Sequence, residues 1–449
     1  MKRLNQMLLA ALFLSFGNLA FATVEFEEDF SLPIVYFNIV VDVGASHDPK
    51  EKLGLAHVAN QMMLRGTTTH TKNEFYEQLN RLGGQFEVET RNESTVFRGA
   101  VLSENAARYL TLIEEAFLRP LFRTEELVKL KKEVESEILT EKSNDRALAM
   151  YHFNRFFFGD HPYGNPAKGT RKSLARINNK DILNFYSRYF GSETLNFFGT
   201  GAIKAETMRT WFSRMTEKLG ALHPEARLPQ TIAPPPAIKG RRTLLVNKPN
   251  ATQAQVLIGG AGMRPEMPEH YPVLLANHVF GSSSIQATLM QELRVKRGWT
   301  YGAYNMFQYG REPRYYTMYL IPNTMLAFQA INLTLDIFEN FINNGISQEE
   351  FAFARTSLIN NAPFNYDTPR KRLENVTVEN ILRFPKDYHK KLSQNIEAVK
   401  FEQVKPALKN FFNPESLVLV IVGDGEKLEE PLTKLPGFSS LSIKSYTED

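Results

Sequence analysis

Cysteine is absent from the 449-residue sequence. That excludes disulfides, so stability has to come from core packing and from ligands or partners. Charge of one sign is missing too: the formal net charge is +4, spread along the chain without basic blocks or aromatic-interleaved Lys/Arg runs. Nucleic acid is thereby excluded as a partner class. The N-terminal apolar run "MLLAALFLSFGNLAFA" is 16 residues, interrupted by Gly17 and Asn18, short of the roughly 20 that a spanning helix needs. Lys2 and Arg3 precede it, and it ends in the small-x-small triplet Ala20-Phe21-Ala22. This is the pattern of a secretory signal peptide, residues 1–22, with cleavage expected after Ala22 and no membrane attachment afterwards. An exported, cysteine-free chain suits a bacterial periplasm.

What is present is ordinary for a globular protein: 43% hydrophobic and 23% charged residues, in a chain long enough for more than one core. The stretch "HPEARLPQTIAPPPAIKGRR", residues 223–242, holds five prolines and little apolar periodicity; it reads as an extended linker between residues 23–222 and 243–449. Each half runs through an apolar helix, strand-like alternation, a long amphipathic helix and a closing apolar strand that stops at glycine. The late helices, "RTEELVKLKKEVESEI" from Arg123 and "SQEEFAFARTSLINNA" from Ser347, lie 224 residues apart, which points to an internal duplication. Strands and helices mix without strict alternation. The expectation is an α+β chain of two homologous domains with largely antiparallel sheets.

One helix carries part of a chemical pattern. In "GLAHVANQMMLRGT", Gly54 to Thr67, His57 is followed three and four residues on by Asn60 and Gln61, positions that share its face. The stretch resembles the zinc helix of the insulinase (pitrilysin) family of peptidases, whose signature is the inverted His-x-x-Glu-His. Supporting stretches are Gly66-Thr67, "LGGQFEVET" from Leu82 and "HPYGNPAKGT" from His161. The resemblance implies two α/β-roll domains forming half of a clamshell. It places His57 on the first metal ligand, Asn60 on the general base, Gln61 on the second ligand and Glu137 on the distal ligand, with 75 residues between Gln61 and Glu137.

The departures fall where the chemistry sits. An amide at Asn60 cannot take up and return a proton near neutral pH, which removes base catalysis worth about 10²–10⁴-fold. Gln61 offers zinc only a neutral carbonyl oxygen. His47, His70, His152 and His161 share no helical spacing that could replace it. Glu87 and Val88 stand in the strand that pairs with substrate in the family. No metal is expected in this chain. Glu137 itself lies in a charged run, and His57 and Glu137 also fit a packed histidine and a solvated helix face.

The second half keeps its pattern. "SIQATLMQELRVKRGWTYGAY" from Ser284 resembles the family's C-terminal signature, an arginine followed seven residues later by a tyrosine, here Arg294 and Tyr301. A guanidinium and a phenol can donate to peptide carbonyls and to the oxyanion formed during peptide hydrolysis. The alternative is an arginine paired at a helix end and a tyrosine filling the core. Together these residues imply a noncatalytic subunit of a periplasmic heterodimer. It would donate Arg294 and Tyr301 to a homologous partner that holds the zinc, for hydrolysis of peptides or unfolded chains. Two readings stay open beside it: a purely structural or peptide-binding relic, similar to noncatalytic core subunits of respiratory complexes, and a self-sufficient peptidase with an altered site.

Overall fold

The computed structural model describes residues 23–448, so the signal-peptide segment lies outside the described residues. The first half contributes β1 (Val24–Glu28), β2 (Ile34–Val41), α1 (Leu55–Met62), α2 (Lys72–Arg81), β3 (Gln85–Thr90) and β4 (Thr95–Leu102). It continues through α3 (Ala106–Leu118), α4 (Thr124–Ser143), α5 (Asp145–Phe158), α6 (Asn179–Tyr189), β5 (Leu195–Gly201) and α7 (Ala205–Leu222). The second half contributes β6 (Arg241–Asn247), β7 (Gln255–Ala261), α8 (His270–Asn277), β8 (Thr300–Gln308) and β9 (Tyr315–Pro322). Then come α9 (Ala327–Asn344), α10 (Gln348–Asn361), α11 (Pro369–Leu382), α12 (Phe401–Phe411), β10 (Val418–Gly423), α13 (Gly425–Leu432) and β11 (Phe438–Ser445).

The duplication is visible in the strand order. One sheet runs β1-β5-β2-β4-β3 and the other β11-β6-β10-β7-β9-β8. Renumbering β6–β10 as β1–β5 makes the two identical except for the added β11. In each sheet the first and last of these five strands pair in parallel, β1 with β5 and β6 with β10, and the meander pairs β2–β4, β4–β3, β7–β9 and β9–β8 are antiparallel. The sheets are thus mixed but largely antiparallel. β3 and β8 are matching edge strands.

Local chemistry starts the helices. Thr71 and Glu74 close a capping box on α2, and Ser347 and Glu350 close one on α10, each satisfying otherwise orphaned N–H groups. One face of each sheet is packed by helices of its own half: α1, α3, α4 and α7 against Phe37, Ile39 and Phe97 in the first, α8, α9 and α12 against Val256, Ile258 and Tyr316 in the second.

The opposite faces are covered crosswise, which the division into two self-contained halves does not anticipate. Helix α5 of the first half lays Leu148, Phe153 and Phe157 on Leu257, Tyr315 and Val420 of the second sheet. Helix α11 of the second half lays Leu373 and Ile381 on Val40, Val96 and Phe198 of the first sheet. Between α11 and β2, Asn38 Nδ2 donates to Thr377 Oγ1 at 2.9 Å in a buried bond. The Pro-rich segment, residues 226–239, forms no helix or strand; its Ile232 and Ile238 rest against the cluster under α5.

Candidate functional site

The corner around α1 is built from its start. Gly54 sits at φ +91°, a conformation that favours glycine. Its N–H donates to Asp48 Oδ2 at 2.7 Å, and the Ala56 N–H donates to Asp48 Oδ1 at 2.9 Å. Burial pushes the Asp48 carboxyl up to about 7, opposed by these backbone donors. The helix is shorter than the sequence stretch: it ends at Met62, and the chain turns through Arg65 to Gly66. Leu55, Val58, Met62, Met63 and Leu64 are all buried in the first core.

Asn60 is fully buried among them. Its Nδ2 donates to Thr95 Oγ1 at 2.8 Å and to Thr90 Oγ1 at 3.1 Å, and Thr95 passes its own proton to the Val43 carbonyl at 2.9 Å. The amide therefore serves as a structural donor that ties α1 to β3 and β4. Gln61 Nε2 donates to the Val88 carbonyl of β3 at 3.4 Å. Glu87 is exposed on the same strand.

His57 and Glu137 are brought into one electrostatic group, and a third residue stands with them. Lys168 Nζ lies 2.7 Å from Glu137 Oε2 and 2.9 Å from Glu141 Oε1. Burial opposes the charge on Lys168, but the two carboxylates hold its pKa above the usual value. Burial, with Lys168 next and Glu137 opposing, pushes the His57 imidazole down to about 4, so it is neutral at neutral pH. The Glu137 ion pair runs to another segment of the chain, not along its own helix. Among the described residues, no three His, Cys, Asp or Glu side chains gather closely enough to hold a metal ion.

The donor set does not fit the zinc that the fold implies. A catalytic zinc needs three protein ligands, each a thiolate, imidazole or carboxylate, and an open position; here one neutral imidazole and one carboxylate already paired to an ammonium accompany an amide bonded to a strand. Lys168 lies within "HPYGNPAKGT", but nothing local in that stretch marks it as part of the site. Its role depends on a contact between glycines far apart in the chain.

The Arg294 and Tyr301 positions lie on the second sheet's edge. After α8, buried Leu289, Met290 and Leu293 anchor the helical turns that reach Val295. These end as Trp299 N donates to the Leu293 carbonyl at 2.9 Å and Gly298, at φ +65°, to the Arg294 carbonyl at 3.0 Å. Edge strand β8 then begins with a bulge between Thr300 and Ala303. Thr300 Oγ1 holds it, donating to the Gly302 carbonyl at 2.7 Å and accepting from Ile321 N at 3.0 Å. The bulge turns Tyr301 outward, 69% exposed. Arg294 is exposed as well, and its guanidinium makes no hydrogen bond or ion pair with any described residue. Neither is the paired arginine and core tyrosine of the alternative reading. No hydrogen bond or ion pair joins this pair to the His57 corner among the described residues.

Residues 23–171 match the family model described as insulinase (peptidase family M16), and residues 176–358 match the model described as peptidase M16 inactive domain. Among curated relatives, an uncharacterized zinc protease of Rickettsia bellii is 26% identical over 73% of this chain and 77% of its own. The non-peptidase homolog YmxG of Helicobacter pylori is 22% identical over 91% of this chain and 94% of its own. The fold is shared with the peptidase M16 inactive domain from Pseudomonas fluorescens, at TM-score 0.82 and 21% identity over 90% of this chain and 96% of that one. It is shared also with the periplasmic protease PqqL of Escherichia coli, at TM-score 0.73 and 13% identity, over 94% of this chain but 50% of PqqL. With Asn60 and Gln61 where the base and second ligand would stand, the chain belongs to the insulinase family as a noncatalytic-type member.

Proposed function

We propose that the chain is the noncatalytic subunit of a periplasmic insulinase-family peptidase, and that it donates Arg294 and Tyr301 to the active site of a homologous, zinc-bearing partner. The observation that carries this reading is the contrast between the two motif regions. In the α1 corner Asn60, Gln61 and Glu137 are engaged locally and His57 is buried and neutral, whereas the two donors of the second half stand exposed on a turn and a bulge whose backbone is fixed. The fixed backbone places both donors at the sheet edge, and their side chains give up rotamer freedom only when they meet a ligand. PqqL, a periplasmic protease of which this chain matches only half, supports the idea that two such units make one working enzyme.

In that arrangement Arg294 and Tyr301 hydrogen-bond substrate carbonyls and the oxyanion that develops as the peptide bond is attacked; the partner's zinc supplies the activated water. The substrate is a peptide or an unfolded polypeptide. The test is reconstitution with a homologous chain that carries an intact His-x-x-Glu-His. Arg294→Ala in the mixed complex lowers kcat/KM by about 10²–10³-fold, the usual loss for one oxyanion donor, and Tyr301→Phe lowers it less. Full activity of the partner alone sinks the proposal. Undiminished activity of a correctly assembled Arg294→Ala complex leaves a structural or peptide-binding role instead.

A further inference from the structure

We infer that the Lys168 ammonium occupies the place of the metal and excludes one, so that the loss of zinc is built in twice: by the amides on α1 and by a fixed cation opposite them. Gly54 at φ +91° and Gly169 at φ +76° pack against each other's segments so closely that a Cβ on Gly54 would lie 2.6 Å from the Lys168 carbonyl oxygen, and one on Gly169 would lie 2.1 Å from the Leu53 carbonyl oxygen. Ser173 Oγ fastens the same junction by donating to the Leu53 carbonyl at 2.7 Å. The loop before Thr170 is thereby clamped to the first turn of α1, one turn before His57. From that anchor the Lys168 side chain reaches the carboxylates of Glu137 and Glu141 on α4.

Charge explains why a cation belongs there. Glu137 and Glu141 are neighbours one turn apart on α4, a repulsive spacing unless a positive group lies between them. An ammonium has three donors and a compact charge, so it can satisfy both carboxylates at once. Glu137, the expected distal metal ligand, is thus already committed, and a dication entering beside His57 would meet a fixed positive charge. Restoring the second imidazole is then insufficient to restore the metal.

Zinc content of the mature chain, without any partner, tests this independently of the proposed function. The variants are Q61H, Q61H/K168M and the charge-retaining Q61H/K168R, each first shown to melt cooperatively. After equilibration against a zinc buffer, metal analysis finds one zinc per chain in Q61H/K168M at concentrations where Q61H and Q61H/K168R remain nearly empty. The affinity difference is roughly tenfold or more, the usual size of an effect from groups around a metal's ligands. Zinc held equally well by Q61H and Q61H/K168M overturns the inference, and so does a folded Q61H/K168M that holds none.

Discussion

Asn60, at the position the family resemblance gives to the general base, shows how an amide is built into the fold there. Its amide gives two hydrogen bonds to threonine hydroxyls inside the core, an arrangement that satisfies a buried donor group. Asn60, Gln61, Arg294 and Tyr301 stand out in the sequence because each sits at fixed spacing within a dense local motif. Lys168 and Thr300 do not, since one acts through a glycine contact across the first half and the other through a bulge that no local pattern announces. Histidines add a pH dependence of their own. Burial pushes His270 down to about 4, with Nε2 facing Tyr388 Oη at 2.9 Å and Nδ1 facing Met263 Sδ. Burial, helped by Lys444, Lys142 and Arg155, does the same to His152. The unfolded chain binds these protons from about 6.5 downward, the folded chain only near 4, so stability present above pH 6.5 is lost as the pH falls towards 4. The melting temperature therefore falls from pH 7 to 4.5: His57, held down to about 4 in the same way, adds to the loss, the Asp48 carboxyl, raised to about 7 by burial, opposes it, and the three histidines outweigh the one carboxyl. His270→Gln, which cannot take up the proton, makes the fall shallower. An unchanged slope in that variant would remove His270 from the account.

The elements that the sequence places best are the closing strands β5 and β10, short β-branched and aromatic runs that stop at glycine. Helix α5 is harder. Its "DRALAMYHFNRFFF" has apolar residues around most of its circumference, which periodicity alone assigns to no particular partner. The structure supplies the reason: Phe153, Phe157 and Phe158 pack around Tyr315 of the second sheet, and Gly259 of β7 leaves room for them, since a Cβ there would come within 2.6 Å of the Phe153 ring. Phe153 is fully buried. Phe153→Ala is expected to cost about 3–5 kcal/mol, the range for truncating a buried phenylalanine, read from denaturant unfolding of the whole chain. A cost under about 1 kcal/mol would mean that α5 is a loose cover and not part of the second half's core.

The crosswise packing of α5 and α11 makes the two halves interdependent, and polar contacts follow the same seam. Arg311 pairs with Asp42 at 2.5 Å and donates its backbone N–H to Glu93 at 3.0 Å. Tyr163 donates to that same Glu93 carboxylate at 2.7 Å. At the other end Arg372 spans Glu27 at 3.0 Å and Asp29 at 2.5 Å. Without α11 the first sheet would expose Val40, Val96 and Phe198; without α5 the second would expose Leu257, Val418 and Val420. The Pro-rich segment is consequently a tether whose covalent continuity matters little once the chain has folded. Cutting a protease site placed after Pro236 is expected to leave two fragments that elute together at the mass of the intact chain and unfold in one cooperative transition. Fragments that separate, or that melt in two steps, would show that each half stands alone. The outcome bears on function, because a locked pair of halves cannot open and close on its own substrate. In the proposed complex, any clamshell motion would then belong to the junction between this chain and the zinc-bearing subunit.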